Sequence, residues 1–308
     1  MSDIPEELAA TLAAHGGAAG RAFAARLPEL AGHFLDRWEL RPDGPPMYGL
    51  CALVLPVVRR ADGLPCVLKL QAVDEETVGE PMALRAWGAA GAGAVGLLDH
   101  DPATGTMLLE RLDERRPLSA LPDAREAVRV LAGVLARLVA VPAPPGLRRL
   151  GDLAGGMLER TPAVLGALAG SEDRRLLADC AAALREVAAE PGDRLLHWDL
   201  HYDNVLAGRP GTALAHRWVA LDPKPLAGDP GFDLFPALHN RFEPAQVRRR
   251  FDVLTEALGM TADRERARSW TLARVLQNAL WAVEAGASSL PPHHREIVRQ
   301  LRGGPGPR

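Results

Sequence analysis

Leu195-Leu196-His197-Trp198-Asp199-Leu200-His201-Tyr202-Asp203-Asn204-Val205-Leu206, followed by Trp218-Val219-Ala220-Leu221-Asp222-Pro223-Lys224 and by Gly231-Phe232-Asp233, decides how the rest of the chain is read. Each segment begins or ends in apolar residues that predict a short buried strand, and its polar residues fall where those strands turn. Polar groups are thereby delivered to one place. Taken alone, His197, Asp199 and Asn204 also fit a turn whose Asx side chains satisfy local backbone groups, because short motifs match by chance. The second apolar strand, ending in Asp222, favours a shared site.

Four residues separate Asp199 from Asn204. That spacing resembles the His-x-Asp-x-x-x-x-Asn catalytic loop of protein-kinase-like phosphotransferases. Phosphoryl transfer needs a carboxylate to orient the attacking hydroxyl and accept its proton, and hard oxygen ligands to hold Mg2+ against nucleotide phosphates. Asp199 suits the first task, and Asn204 with Asp222 the second. The segment Leu196 to His201 with Asn204, then Leu221-Asp222-Pro223-Lys224 and Gly231-Phe232-Asp233, resembles the aminoglycoside/hydroxyurea antibiotic-resistance kinases, which include streptomycin 6-phosphotransferases. Asp-Pro-Lys, where protein kinases carry Asp-Phe-Gly, is the more discriminating part. The resemblance runs from about Trp38 to Trp281, and only its central motifs are specific. Kinases of this kind usually have Gly between the His and the Asp; Trp198 stands there and would reshape the acceptor pocket.

The composition sets outer limits. A chain of 308 residues, 47% hydrophobic, can bury a sizeable core. Its 36 basic and 39 acidic residues, net charge -3, make no electrostatic case for nucleic acid or an anionic membrane, and Arg248-Arg249-Arg250 reads as a solvated helix face. Cys51, Cys66 and Cys180 are too widely spaced to suggest a disulfide framework or a zinc site, which suits a reducing cytoplasm. The amino terminus lacks the basic and apolar regions of a signal peptide. The apolar region 127–145 is broken by Arg129 and Arg137 and is too short to span a bilayer. A cytoplasmic protein, monomeric or weakly dimeric, is expected.

In chain order, residues 2–40 predict one or two helices, capped by Ser2 or Asp3, that cover the strands after them. After the breaker cluster Arg41 to Pro46, strands at 50–59 and 65–71 are joined through Asp62-Gly63. Lys69, on the second strand, is either an outward-facing Lys or, by resemblance, the group that reaches the α- and β-phosphates of ATP. No Gly-x-Gly-x-x-Gly is present, and Tyr48-Gly49-Leu50-Cys51-Ala52 is the nearest candidate for a backbone approach to phosphate. A helix around 82–87 ends at Gly88. The resemblance puts the Lys-orienting glutamate at Glu80, with Glu76 as the alternative on the same face. Strands come next at 94–99 and 106–112. By resemblance, Leu108 to Leu112 passes between lobes, its backbone through Leu112 offering hydrogen bonds to an adenine edge and Glu110 holding the crossing. Helices are predicted at 124–141, 150–168, 172–189 with Ser171 as cap, 244–258, 262–285 and 293–301, and the tail 303–308 is expected to be disordered.

Strands first, then helices with two short strand pairs bearing the motifs, predict an α+β protein of two lobes. The resemblance makes this a protein-kinase-like fold: an N-terminal antiparallel sheet lobe over residues 1–111 and a larger, mainly helical lobe over 112–308. Asp233 is, by resemblance, a buttress of the catalytic loop or, more simply, a helix cap. His197 reads as structural, Lys224 as either near the transferred group or exposed, and the adjacent His293 and His294 as an improbable metal site. Glu243, Glu284, Trp270, Asn278 and Trp281 are available for a cationic acceptor, with core packing as the alternative. The resulting expectation is an ATP- and Mg2+-dependent phosphotransferase acting on a small-molecule hydroxyl, most simply a streptomycin-type aminoglycoside. A metabolic kinase for an amino alcohol or sugar and a catalytically silent nucleotide-binding regulator are the alternatives.

Overall fold

The computed structural model describes residues 5–49 and 51–302, so the expectations for Ser2, Asp3, Leu50 and the tail lie outside the described residues. Helix α1 (Glu6–Arg37) is broken at Gly17, whose φ of 53° no straight helix accepts. Leu8, Leu12, Leu27 and Phe34 of α1 are buried against Leu53, Val57, Leu68 and Leu70 of the adjoining sheet. The amino-terminal segment is therefore the cover that its apolar spacing predicts.

That sheet comprises β1 (Leu40–Pro42), β2 (Met47–Tyr48), β3 (Ala52–Arg59), β4 (Pro65–Gln71), β5 (Leu97–Asp101) and β6 (Thr106–Glu110), with α2 (Glu80–Ala90) between β4 and β5. Its order is β1-β3-β4-β6-β5, with β2 also on β3, and all pairs are antiparallel. The β3–β4 turn forms as Asp62-Gly63 predicts: Gly63 has φ 70° and the Asp62 carboxylate accepts from the Leu64 N–H. Lys69 lies centrally, opposite Val54 on one side and Met107 on the other. Contrary to the expected stop at Gly88, α2 runs to Ala90, because the left-handed cap is supplied by Gly91 at φ 61°. The far face of the sheet meets α2, where Leu84 and Trp87 join Met107 and Leu109 in the larger core.

The second region contains β7 (Asp113–Pro117), α3 (Ala124–Val139), α4 (Leu150–Ala167), α5 (Ser171–Val187), β8 (Arg194–Leu196), β9 (Val205–Ala207), β10 (Trp218–Ala220) and β11 (Leu226–Gly228). It closes with α6 (Phe235–His239), α7 (Val247–Ala257), α8 (Arg264–Glu284) and α9 (Pro292–Arg302). Strand β11 returns on β8, and β10 returns on β9, which also pairs β7. The loop leaving β8 for β9 carries Asp199, and the loop leaving β10 for β11 carries Asp222. Two nested strand pairs thus fix both loops at one junction.

Three local expectations change. Strand β7 was not foreseen, its sequence Asp-Glu-Arg-Arg-Pro being charged. Gly170, not Ser171, occupies the cap position of α5. Arg250 is not solvated but 4% exposed: its guanidinium donates to the carbonyls of Asn240 and Arg241, groups that the end of α6 leaves without helical partners.

Helix α8 packs closely on the turn 230–234. A Cβ on Gly231 would sit 2.9 Å from the Ala267 Cα and 3.0 Å from the Trp270 Cβ. Gly231→Ala is therefore expected to destabilise by about 1–3 kcal/mol through overpacking. The check is a lower urea midpoint at unchanged m; an unchanged midpoint would mean that α8 yields.

Candidate active site

The loop after β8 is held from beneath. Asp233 is fully buried, and its two carboxylate oxygens accept from the backbone N–H groups of His197 and Trp198, both at 2.7 Å. The buttress, not the cap, is what Asp233 provides here; the cap of its 3-10 turn is Asp229, which accepts from the Gly231 N–H. The Trp198 amide can face Asp233 because Trp198 adopts φ 65°, a left-handed backbone that costs a side-chain-bearing residue ~1–2 kcal/mol. Position 198 is thus one that glycine suits. The Trp198 ring is 1% exposed, stacks on Trp281 at 6.0 Å and lies under the guanidinium groups of Arg148 and Arg274 at 4.7 and 5.2 Å.

Above this support, the Asn204 amide nitrogen donates to the Asp199 carbonyl at 2.9 Å, which leaves the Asn204 amide oxygen as its outward polar atom. Lys224 Nζ lies 3.2 Å from Asp199 Oδ2, so this Lys is paired and half-buried. His197 Nε2 lies 3.0 Å from the Leu221 carbonyl. Burial pushes the His197 pKa down to about 4. The ring is therefore neutral near pH 7 and donates from Nε2, a structural tie between the two loops.

From the sheet, Lys69 Nζ donates to both oxygens of Glu80 at 2.8 Å and to Asp222 Oδ1 at 2.6 Å. The Glu80 carboxylate also accepts from the Gln71 amide at 2.6 Å. Burial by itself would lower the Lys69 pKa; the Asp222 and Glu80 carboxylates outweigh it and raise it. Burial would likewise raise Asp222, but Lys69 brings it down to about 2. Burial pushes Glu80 upward against the pull of Lys69, and three donated hydrogen bonds on its two oxygens hold it as the anion. The pair that resemblance suggested is Lys69 with Glu80. The alternative, Glu76, instead lines a cavity of about 440 Å³ with Trp198, Asp199, Lys224 and Arg274.

Glu110 ends β6, with its N–H donating to the Gly96 carbonyl at 2.8 Å; Leu112 comes after it, buried, with no backbone hydrogen bond among the described residues. Of the residues considered for an acceptor, Trp281 and Asn278 line the cavity. Trp270 does not: it is fully buried in the core. Glu284 pairs with Arg160 at 3.0 Å, and Glu243, which precedes a 3-10 turn, is not among the residues lining the cavity. Gln71, Arg148, Arg274 and His239 were missed. Arg148 and Arg274 are distant in sequence from the motifs; Gln71 lies two residues beyond Lys69 and His239 six beyond Asp233, but no spacing rule marks either.

The model of the aminoglycoside/hydroxyurea antibiotic resistance kinases matches residues 37–286. The chain belongs to that family. The kinase is 57% identical to a hydroxyurea phosphotransferase of Kitasatospora aureofaciens over 98% of its own length and 86% of the relative's. It is 54% identical to a streptomycin 6-kinase of Streptomyces glaucescens, covering 98% of both chains. Among solved structures it resembles a thermostable form of aminoglycoside phosphotransferase APH(4)-Ia bound to ADP and hygromycin B (TM-score 0.62, 15% identity, 90% and 99% of the two chains). A choline/ethanolamine kinase family protein from Mesorhizobium loti gives a TM-score of 0.60 at 18% identity over 96% and 93%. These last two establish the protein-kinase-like fold alone. The kinase is a phosphotransferase with an alcohol group as acceptor, and no helix among its described residues is long and apolar enough to cross a membrane.

The neutral, buried His197 has a measurable consequence. Its folded pKa of about 4 lies below the ordinary 6.5, so its contribution to stability is complete above 6.5 and is lost as pH falls toward 4. Asp233, pushed up by burial to about 7, has a slope of opposite sign, so the difference between variants isolates the histidine. Between about pH 7 and pH 5, wild type is expected to lose about 2 kcal/mol more stability than His197→Asn. Denaturant melts at the two pH values measure it, and parallel losses would show that His197 is protonated in the folded protein.

Proposed function

We propose that this kinase transfers the γ-phosphoryl group of ATP, with Mg2+, to a hydroxyl of a streptomycin-type aminoglycoside. The observation that carries the reading is the linked set Glu80–Lys69–Asp222, which joins the sheet to the loop region where Asp199 opens on a cavity. Lys69 grips the α- and β-phosphates while Glu80 and Gln71 hold its ammonium in place. Asp199 orients the acceptor hydroxyl and takes its proton; Lys224, donating to Oδ2, leaves Oδ1 for that proton. The Asn204 amide oxygen and the Asp222 carboxylate form the hard, all-oxygen donor set that suits Mg2+. When bound, the ion neutralises charge on the β- and γ-phosphates. Asp233 and His197 touch no reactant and serve to position the loop.

Glu110 and Leu112 fall where the chain leaves the sheet. The unengaged Leu112 backbone supports a contact with the adenine edge there. The pairing of β7 with β9 supports a division into lobes at residues 111 and 112. Use of ATP as donor supports a cytoplasmic location.

For the acceptor, the streptomycin 6-kinase relatives and the cavity agree. Its carboxylates Asp199 and Glu76 suit a cationic polyol, although Lys224 and Arg274 line the same cavity. A volume of about 440 Å³ lies within the range of drug-sized sites. A second reading, hydroxyurea, rests on the 57% identical relative, although that molecule of a few atoms would leave most of the cavity unfilled. ADP release with Mg-ATP and streptomycin, hydroxyurea, choline or ethanolamine as acceptor separates these readings. Release driven by streptomycin is expected. Release driven by hydroxyurea alone would select the second reading, and release driven only by an amino alcohol would overturn both.

A further inference from the structure

We propose that His239, His293 and His294 form a binding site for a divalent transition-metal ion of the zinc type in the wall of the acceptor cavity, distinct from the Mg2+ position. His239 is the last residue of α6, and His293 and His294 lie in the first turn of α9. Packing of α6 on α9 brings one ring nitrogen of each within 4.8 Å of the other two. The ring centroids are 4.5–5.2 Å apart. All three residues line the cavity that Asp199 also lines. Adjacency in sequence gives His293 and His294 no third ligand, which is why the pair reads poorly there; the fold supplies it.

Two further observations point to a ligand. His294 is only 4% exposed, yet neither of its ring nitrogens has a hydrogen-bond partner. His239 Nδ1 and His293 Nε2 are buried and unpartnered as well. Buried polar atoms are normally satisfied; each neutral ring carries one N–H and one lone pair, so the three clustered rings present three lone pairs to one electron-pair acceptor, the second His294 nitrogen remaining an N–H donor. Stacking of His239 on Phe235 and an edge contact of His294 with the same ring explain how the rings pack but satisfy no nitrogen. Burial, reinforced by the neighbouring imidazoles and Arg274, holds His239 at about 4 and His294 at about 3, so their lone pairs are free near neutral pH. Burial lowers His293 too.

The donor set selects the metal. Three neutral imidazoles without thiolate or carboxylate suit Zn2+ and its borderline neighbours rather than Mg2+ or Ca2+. With Zn–N bonds of about 2.0–2.1 Å, tetrahedral ligand nitrogens stand about 3.4 Å apart. Small ring rotations of the half-buried His239 and His293 toward the fixed His294 close that gap. Three protein ligands leave a fourth position for an oxygen or nitrogen of a molecule in the cavity, the pattern of an open rather than a closed site.

The test uses untagged full-length protein, stripped with chelator and free of nucleotide. Zn2+ is titrated calorimetrically and Co2+ by its visible ligand-field bands, with and without excess Mg2+. One equivalent of tetrahedral metal, indifferent to Mg2+, is expected. His293→Gln and His294→Gln are each expected to weaken it at least ten-fold, with the circular dichroism spectrum and Tm retained. Should the buried His294→Gln fail to fold, the half-exposed His293→Gln decides the matter alone. Absence of stoichiometric Zn2+ or Co2+ binding in the wild type would overturn the site, as would binding that His293→Gln leaves unchanged.

Discussion

Asp199→Asn is expected to lower kcat by about 10²–10⁴-fold, the usual contribution of a positioned general base in proton transfer. The substitution keeps the shape of the side chain and one oxygen, but an amide cannot take a proton from the acceptor hydroxyl. Lys224, which donates to Asp199 Oδ2 at 3.2 Å, loses its counter-charge but remains tied to the loop by its backbone N–H, which donates to the His197 carbonyl. The Lys69–Glu80–Asp222 set lies on other elements and is untouched. Stabilisation of the variant by Mg-ATP should therefore equal that of the wild type in thermal melts, with transfer lost. A variant that retained its turnover would remove Asp199 from the reaction.

Lys69→Met has the second large effect and divides differently. The Lys69 side chain is 5% exposed, and its ammonium is shared between the Glu80 and Asp222 carboxylates. Its removal leaves Glu80, itself 1% exposed, with the Gln71 amide as its one partner. Breaking a buried ion pair from one side costs about 3–5 kcal/mol, because the remaining charge stays buried and unpaired. The expected signature is a lower Tm together with loss of stabilisation by ATP and a kcat/KM reduced by about 10²-fold or more, in line with the loss of one electrostatic contact to charge that develops in transfer. The double variant Lys69→Met/Glu80→Gln should recover part of the stability and none of the activity. Full recovery of activity in the double variant would show that Lys69 serves the fold rather than the phosphates.

What could be read from the sequence depended on how the residues are joined. Asp199 and Asn204 were legible because their spacing lies within one loop, and Asp222 because the apolar strand before it announces the turn. Lys69 and Glu80 are 11 positions apart and meet only through the packing of α2 on the sheet, which family resemblance conveyed and periodicity could not. Helix α8 shows the limit of pattern reading. Nearly every residue from Ser269 to Leu280 is buried, so no polar stripe marks the cavity side, and Trp270 could not be told from Trp281. Arg250 looked like one of three surface arginines, and only the end of α6 reveals the carbonyls that it serves. His239 lies more than 50 residues from His293, so the histidine cluster exists only in three dimensions. Strand β7 is charged and short, and its place in a sheet comes from β9 rather than from its own propensity.

In the proposed reaction, phosphate passes from ATP to an aminoglycoside hydroxyl at Asp199. The most direct test incubates wild type and Asp199→Asn with Mg-ATP labelled at the γ-phosphate and with streptomycin, and tracks the label by mass spectrometry and phosphorus NMR. One labelled phosphate monoester on streptomycin is expected with wild type, and none above background with the variant. Label appearing only as inorganic phosphate, or monoester formed equally by both proteins, would contradict it.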